Sequence, residues 1–236
     1  MTDPIIIVDK VHKSYLMGKE AVAALRGVTI NVARGEMLCL MGPSGSGKTT
    51  LLNLLGGLDE PSRGHIIITG ENVVSMKEEQ VARLRLEKLG FIFQTFNLLA
   101  NFTAFENVEA PMVLAHRYKR KERKTRAGLL LEQVGLADRI DHYPSELSGG
   151  QQQRVAIARA LANDPPIIIG DEITGDLDSE TGFEVMRLIR QLNQTQGKTV
   201  IFVTHDPRMA DFADRTINLL DGVIHSEVVN NGHGSS

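Results

Sequence analysis

The eight residues from 42 to 49 constrain this chain more than any others. Gly42, Pro43, Ser44, Gly45, Ser46, Gly47, Lys48 and Thr49 follow the spacing G-x-x-x-x-G-K-[ST] without a mismatch. A strand-like run, "EMLCLMG", leads into them, and "KTTLLNLLGGL", with helical apolar spacing, leads out. A strand that turns into a helix through closely spaced glycines curls its backbone tightly at a helix N-terminus. Its N–H groups then converge at the positive end of a helix dipole, which shapes the loop for phosphate oxygens. Lys48 adds a compact cation for the outer phosphates, and the Thr49 hydroxyl suits Mg²⁺. A nucleoside triphosphate is the expected ligand.

The rest of the chain reads as α/β. Residues 5–41 form short β-rich segments, and "GHIIITG" and "GFIFQ" (90–94) are further apolar runs. "PPIIIGDE" and "KTVIFVTH" flank the helical "SETGFEVMRLIRQLNQTQ". Continuous apolar strands alternating with helices predict parallel strands buried on both faces. Between about 96 and 164 the pattern is helical without a convincing strand, so a helical lobe interrupts a core made of about 1–95 and 165–228. Residues 229–236, polar and glycine-rich, are expected to be a flexible tail.

Composition narrows the classes. A formal net charge of −3 supplies no general attraction to nucleic acid. The basic run at 116–126, "HRYKRKERKTR", reads as a solvated helix face. The single cysteine, Cys39, forms no internal disulfide and reads as a buried apolar residue in a reducing compartment. No apolar run approaches the roughly 18 residues that span a bilayer. The opening "MTDPIIIVDK" lacks a signal-peptide pattern, so a cytoplasmic chain is expected.

A metal-bound triphosphate calls for an acidic partner at the end of a neighbouring strand. "IIIGDE" at 167–172 offers Asp171 for Mg²⁺ and Glu172 as a general base toward an attacking water. A second glycine-rich element, "LSGGQ" at 147–151, stands a hundred residues beyond the first loop.

Together these motifs resemble the nucleotide-binding subunit of ATP-binding cassette (ABC) transporters over nearly the whole chain, and "LSGGQ" is the specific element. The resemblance implies a P-loop NTPase core with a parallel sheet, an N-terminal antiparallel β-subdomain and an inserted α-helical subdomain. It implies that Ser148, Gly149, Gly150 and Gln151 cap ATP held by a second, head-to-tail copy. By the same resemblance Gln94 contacts Mg²⁺ and the attacking water, and His205 touches the γ-phosphate. Asp178 in "GDLDS" crosses the dimer interface, Tyr15 stacks on adenine, and Thr50 joins the nucleotide contacts. The implied cofactors are ATP and Mg²⁺. The implied partners are a second copy and membrane-spanning subunits, with no nucleic acid, on the inner face of the cell membrane.

The chain departs from the family at Ile173, where a proline usually follows the catalytic glutamate. Isoleucine restores an N–H and predicts a freer loop beside Glu172. Residues 89–115 are similar to the lipoprotein-release and macrolide-export group, whose cargo is read by membrane subunits. The same residues include "TFNLLANFTAFENV", expected to receive a membrane partner, with Asn101 and Phe102 at its rim. A soluble cassette ATPase acting on DNA or ribosomes is the alternative; such relatives carry long coiled coils or two cassettes, and this sequence has neither.

Overall fold

The computed structural model describes residues 3–18 and 20–230. Two sheets organise them. The first is antiparallel, in the order β2-β1-β4-β5, from β1 (Pro4–Met17), β2 (Glu20–Ala33), β4 (Arg63–Ile68) and β5 (Glu71–Asn72). The second holds β3 (Met37–Met41), β6 (Leu89–Phe93), β7 (Ile167–Asp171), β8 (Thr199–Val203), β9 (Arg215–Leu220) and β10 (Val223–Val229). Its order is β10-β9-β3-β8-β7-β6, parallel throughout except at the β9–β10 edge.

The alternation of side chains along the central strands builds two cores, one per face. On β3, Met37 and Cys39 face one core while Leu38 and Leu40 face the other; on β8, Val200 and Phe202 oppose Ile201 and Val203. The continuous apolar runs are therefore buried on both sides, as expected for parallel strands. One core takes α1 (Lys48–Leu55) and the antiparallel sheet. The other takes α3 (Ala104–Ala115), α4 (Arg120–Gln133), α5 (Gly149–Ala160) and α6 (Ser179–Gln196). Two shorter or more polar helices, α2 (Glu78–Lys88) and α7 (Pro207–Ala210), complete the set.

Between Phe93 and Ile167 the chain holds helices α3, α4 and α5 and no strand. Cys39 is fully buried, and burial pushes its thiol up to about 12. The antiparallel edge pair β9–β10 lies beyond the strands that the sequence pattern predicts. Val229, expected in the tail, pairs with Arg215, and the Asn230 N–H donates to the Asp214 carbonyl. The remainder of the expected tail, 231–236, lies outside the described residues.

Register brings the chemistry to one edge. Phe93 pairs with Asp171, Asp171 with Val203, and Val203 with Leu40. Gln94, Glu172, Thr204 and Gly42 leave the C-terminal ends of these four strands, which is where open α/β sheets bind ligands.

Candidate nucleotide site

The loop at 42–49 is shaped by glycine where no other residue fits. Gly42 has φ 145°, and an added Cβ would lie 2.1 Å from the Leu219 carbonyl oxygen. Gly47, with φ 102°, would collide with the Ala24 carbonyl at 2.6 Å. Gly47 also starts α1 with no side-chain cap, so the first-turn N–H groups face the loop without a protein acceptor from the cap residue. Ser46 is buried and its hydroxyl has no partner. The Lys48 ammonium reaches across the loop to the carbonyls of Gly42 and Pro43, each at 2.8 Å. Orphan donors, a buried cation and a cradle that a Cβ would fill together fit a phosphate chain.

Asp171 and Glu172 leave β7 beside this loop. Burial raises the Asp171 carboxyl, the neighbouring Glu172 charge raises it further, and Lys48 partly offsets both. Glu172 takes a left-handed backbone, φ 45°, held by its N–H to the Val203 carbonyl (3.1 Å) and by the Gly175 N–H on its own carbonyl (2.9 Å). A non-glycine residue there stores on the order of 1–3 kcal/mol of strain. The bend carries Glu172 toward β8, where its Oε1 lies 3.3 Å from Nδ1 of His205. Gln94 donates to Asp176 at 2.8 Å and lies against Gly175, so the ends of β6 and β7 are joined.

Ile173 is 3% exposed, and its δ-methyl fills the space a Cβ at Gly170 would need. Its carbonyl accepts from Gln153 at 2.5 Å. The freedom expected at Ile173 is therefore not found, because its side chain is locked into the core and its carbonyl is bonded.

Tyr15, 39% exposed on β1, donates its hydroxyl to Asp59 at 2.8 Å and has Thr50 beside it. Burial first, and then Asp59, raise the phenol. The Lys13 ammonium lies 4.9 Å from the ring centre. Tyr15 and Thr50 thus stand together next to the phosphate loop.

The LSGGQ residues are placed elsewhere. Ser148 caps α5: its hydroxyl accepts from the Gln151 N–H at 3.3 Å, and the Gln151 side chain accepts from the Ser148 N–H at 2.9 Å. Gly149 rests on Leu177, and Gly150 lies so close to Thr181 that a Cβ would meet it at 2.4 Å. Asp178 caps α6 through the Thr181 hydroxyl (2.6 Å) and N–H (3.0 Å), and these bonds lower its carboxyl. It shares a cleft with Glu172, Thr204 and His205. Gln94, Asp171, Glu172, His205 and the loop at 42–49 therefore converge. The α5 cap starts from the core on the opposite face of the sheet from α1.

Asp59, Asp176 and Gln153 also touch the site and are not marked by any motif in the sequence. Each is recognisable only by what it touches: Tyr15, Gln94 and the Ile173 carbonyl.

Known proteins carry the same plan. Residues 25–175 match the family described as ABC transporter. An uncharacterized ABC transporter ATP-binding protein of Thermotoga maritima is 52% identical over 214 residues, covering 91% of each chain. A macrolide export ATP-binding/permease protein of Shewanella oneidensis is 47% identical over 230 residues; they are 98% of this chain but only 35% of that protein. The dimeric post-hydrolysis structure of the cassette MJ0796, bound to ADP and Pi, superposes with a TM-score of 0.89 at 45% identity, covering 96% of this chain and 99% of that one. No helix among the described residues is long and apolar enough to cross a membrane. With a phosphate loop, a strand-end carboxylate pair and a capped LSGGQ helix on one sheet, this chain belongs to the ABC transporter family, as an ATP-hydrolysing cassette similar to the macrolide-export group.

Proposed function

We propose that two copies of this chain close head to tail around two MgATP, and that closure and hydrolysis drive a membrane-spanning partner at the inner face of the cell membrane. One observation carries the reading: α1 and α5 pack on opposite faces of the sheet, so the Ser148 cap rises from the far side of its own phosphate loop. A second copy related by a twofold axis would lay its Ser148, Gly149, Gly150 and Gln151 over the triphosphate. The α5 dipole and the Ser148 hydroxyl would then meet the γ-phosphate. Asp178 would stand at the seam. The dimeric MJ0796 cassette with ADP and Pi supports this arrangement.

Within each site Tyr15 would stack on adenine, while the loop N–H groups and Lys48 hold the phosphates. Thr49, Asp171 and Gln94 would hold Mg²⁺, whose charge would offset the charge developing on the phosphates. Burial, and then the Glu172 charge, raise the Asp171 carboxyl, and a dication there would oppose that shift. No three His, Cys, Asp or Glu side chains among the described residues are arranged to hold a metal ion by themselves. An ion held largely by phosphate oxygens and water needs no such set. Glu172 accepts the proton of the attacking water, and His205 beside it holds the γ-phosphate side.

The partner reading rests on the surface after Gln94. A groove lined by Leu89, Phe91, Leu99, Pro111 and Leu114 runs beside β6. Leu99 is 49% exposed and Phe102 40%, while Leu98 and Phe105 pack against the core. Asn107 fixes the turn by donating to the carbonyls of Leu99 and Phe102, which leaves the Phe102 ring outward. A short amphipathic helix of a membrane subunit suits such a groove. The chain, extracted from membranes with mild detergent and purified, should bring down a membrane-spanning protein that stimulates its ATPase. Purification as a lone chain with unstimulated turnover contradicts the partner reading.

A further inference from the structure

We propose that Gln153 is a positioning residue for hydrolysis, holding Gln94 and Glu172 in register and tying both to the helix that starts at Ser148. Gln153 lies in α5 and is fully buried. Its Nε2 donates to the Ile173 carbonyl at 2.5 Å and to the Phe93 carbonyl at 3.4 Å. Ile173 directly follows Glu172, and Phe93 directly precedes Gln94. One amide nitrogen thus joins the ends of two strands, next to the two residues proposed above to face the attacking water. Its Oε1 has no partner. A leucine here would fill the space without burying an unpaired oxygen, so what the amide adds is the pair of bonds its nitrogen makes.

The surrounding backbone has little slack. Glu172 is already in the left-handed region, and Ile173 is wedged against Gly170. A displacement of α5 therefore moves the Ile173 carbonyl, and Glu172 with it. The same helix grips the next segment, where Arg159 donates to the carbonyls of Phe96 (2.8 Å) and Asn97. At its N-terminus the contact of Gly150 with Thr181 leaves no room for a Cβ. Engagement of Ser148 by a nucleotide would thus reach Gln94 and Glu172 of the same chain through one rigid element. This link between sites rests on the head-to-tail reading above; the positioning role does not.

The test uses Gln153→Leu and Gln153→Met, which keep volume and remove the donor. The expected result is a kcat lower by about 10- to 100-fold, as for displaced catalytic groups, with KM for ATP and monomer MgATP affinity within about twofold of wild type. In a Gln94→Ala background the same substitutions should cost less than they do in the wild type, because the part of their effect that acts through Gln94 is already gone while the part through Glu172 remains. A Gln153→Leu/Glu172→Gln protein should still dimerise with MgATP. An unchanged kcat, a loss fully additive with Gln94→Ala, or failure of both variants to fold at the assay temperature overturns the positioning role. If Glu172→Gln alone stays monomeric, the head-to-tail reading and the link between sites fall, while the kcat comparison still decides the role of Gln153.

Discussion

At the residue scale, charge decides most of the site. Lys48 is a buried ammonium whose ordinary partners, the Gly42 and Pro43 carbonyls, are neutral. Exchanging them for phosphate oxygens makes charge-assisted bonds, so Lys48→Ala should weaken MgATP binding by about 1.5–3 kcal/mol, read by calorimetry. Unchanged affinity would remove Lys48 from the phosphate site. Asp171 gives a pH prediction. Its folded carboxyl is raised, by burial first, so the folded chain binds more protons than the unfolded chain just above the usual carboxylate value. Stability from this group therefore falls as pH climbs from that value to the raised one, and stays lower above it. Asp171→Asn should melt higher than wild type at neutral pH without nucleotide. The gap should close in acid, and Mg²⁺-dependent turnover should be lost. Thermal melts across pH check the sign; a variant that melts lower at neutral pH contradicts it.

At the element scale, the sequence was most legible where pattern is local. The phosphate loop, α1, α6 and the apolar strands β6, β7 and β8 all announce themselves in contiguous residues. The polar α2, "EEQVARLRLEK", and the mixed β9 and β10 carry weak periodicity and owe their form to what they pack on. The strain at Glu172, the 3.3 Å approach of His205 and the role of Gln153 depend on pairing between strands far apart in sequence. Gln153, third in a run of three glutamines, has no local feature that separates it from its neighbours. The loop after β7 yields a sharper test than sequence allowed. Ile173→Pro would lose packing against Gly170, and should destabilise the fold by about 1–3 kcal/mol. Gly170→Ala alone should destabilise too, since its methyl would meet the Ile173 side chain at 2.3 Å. Combined, the two should cost less than their sum, because the proline vacates the space the methyl needs. Chemical denaturation of the four proteins measures that coupling, and strict additivity would contradict the packing described.

At the scale of the whole molecule, the proposed dimer divides its work between the two faces of the sheet, with α1 and the phosphate loop on one and α5 with its Ser148 cap on the other. The groove lined by Phe91, Leu99 and Leu114, and the exposed Phe102, are the surface proposed for the membrane partner. Phe102→Asp should leave folding and MgATP binding unchanged, because the ring is not in the core, yet abolish assembly with the membrane partner in detergent pull-downs. An unfolded variant would place Phe102 in the core, and normal assembly would place docking elsewhere. The central claim is that Ser148 serves the nucleotide of another copy. Light scattering on Glu172→Gln and on Ser148→Arg/Glu172→Gln, both at saturating MgATP with bound nucleotide quantified in the same samples, tests it most directly. Glu172→Gln should have twice the 25.9 kDa mass of the chain. The double variant should remain a monomer that still holds ATP. A monomeric Glu172→Gln, a double variant that dimerises equally well, or a double-variant monomer that has lost ATP would each contradict the account.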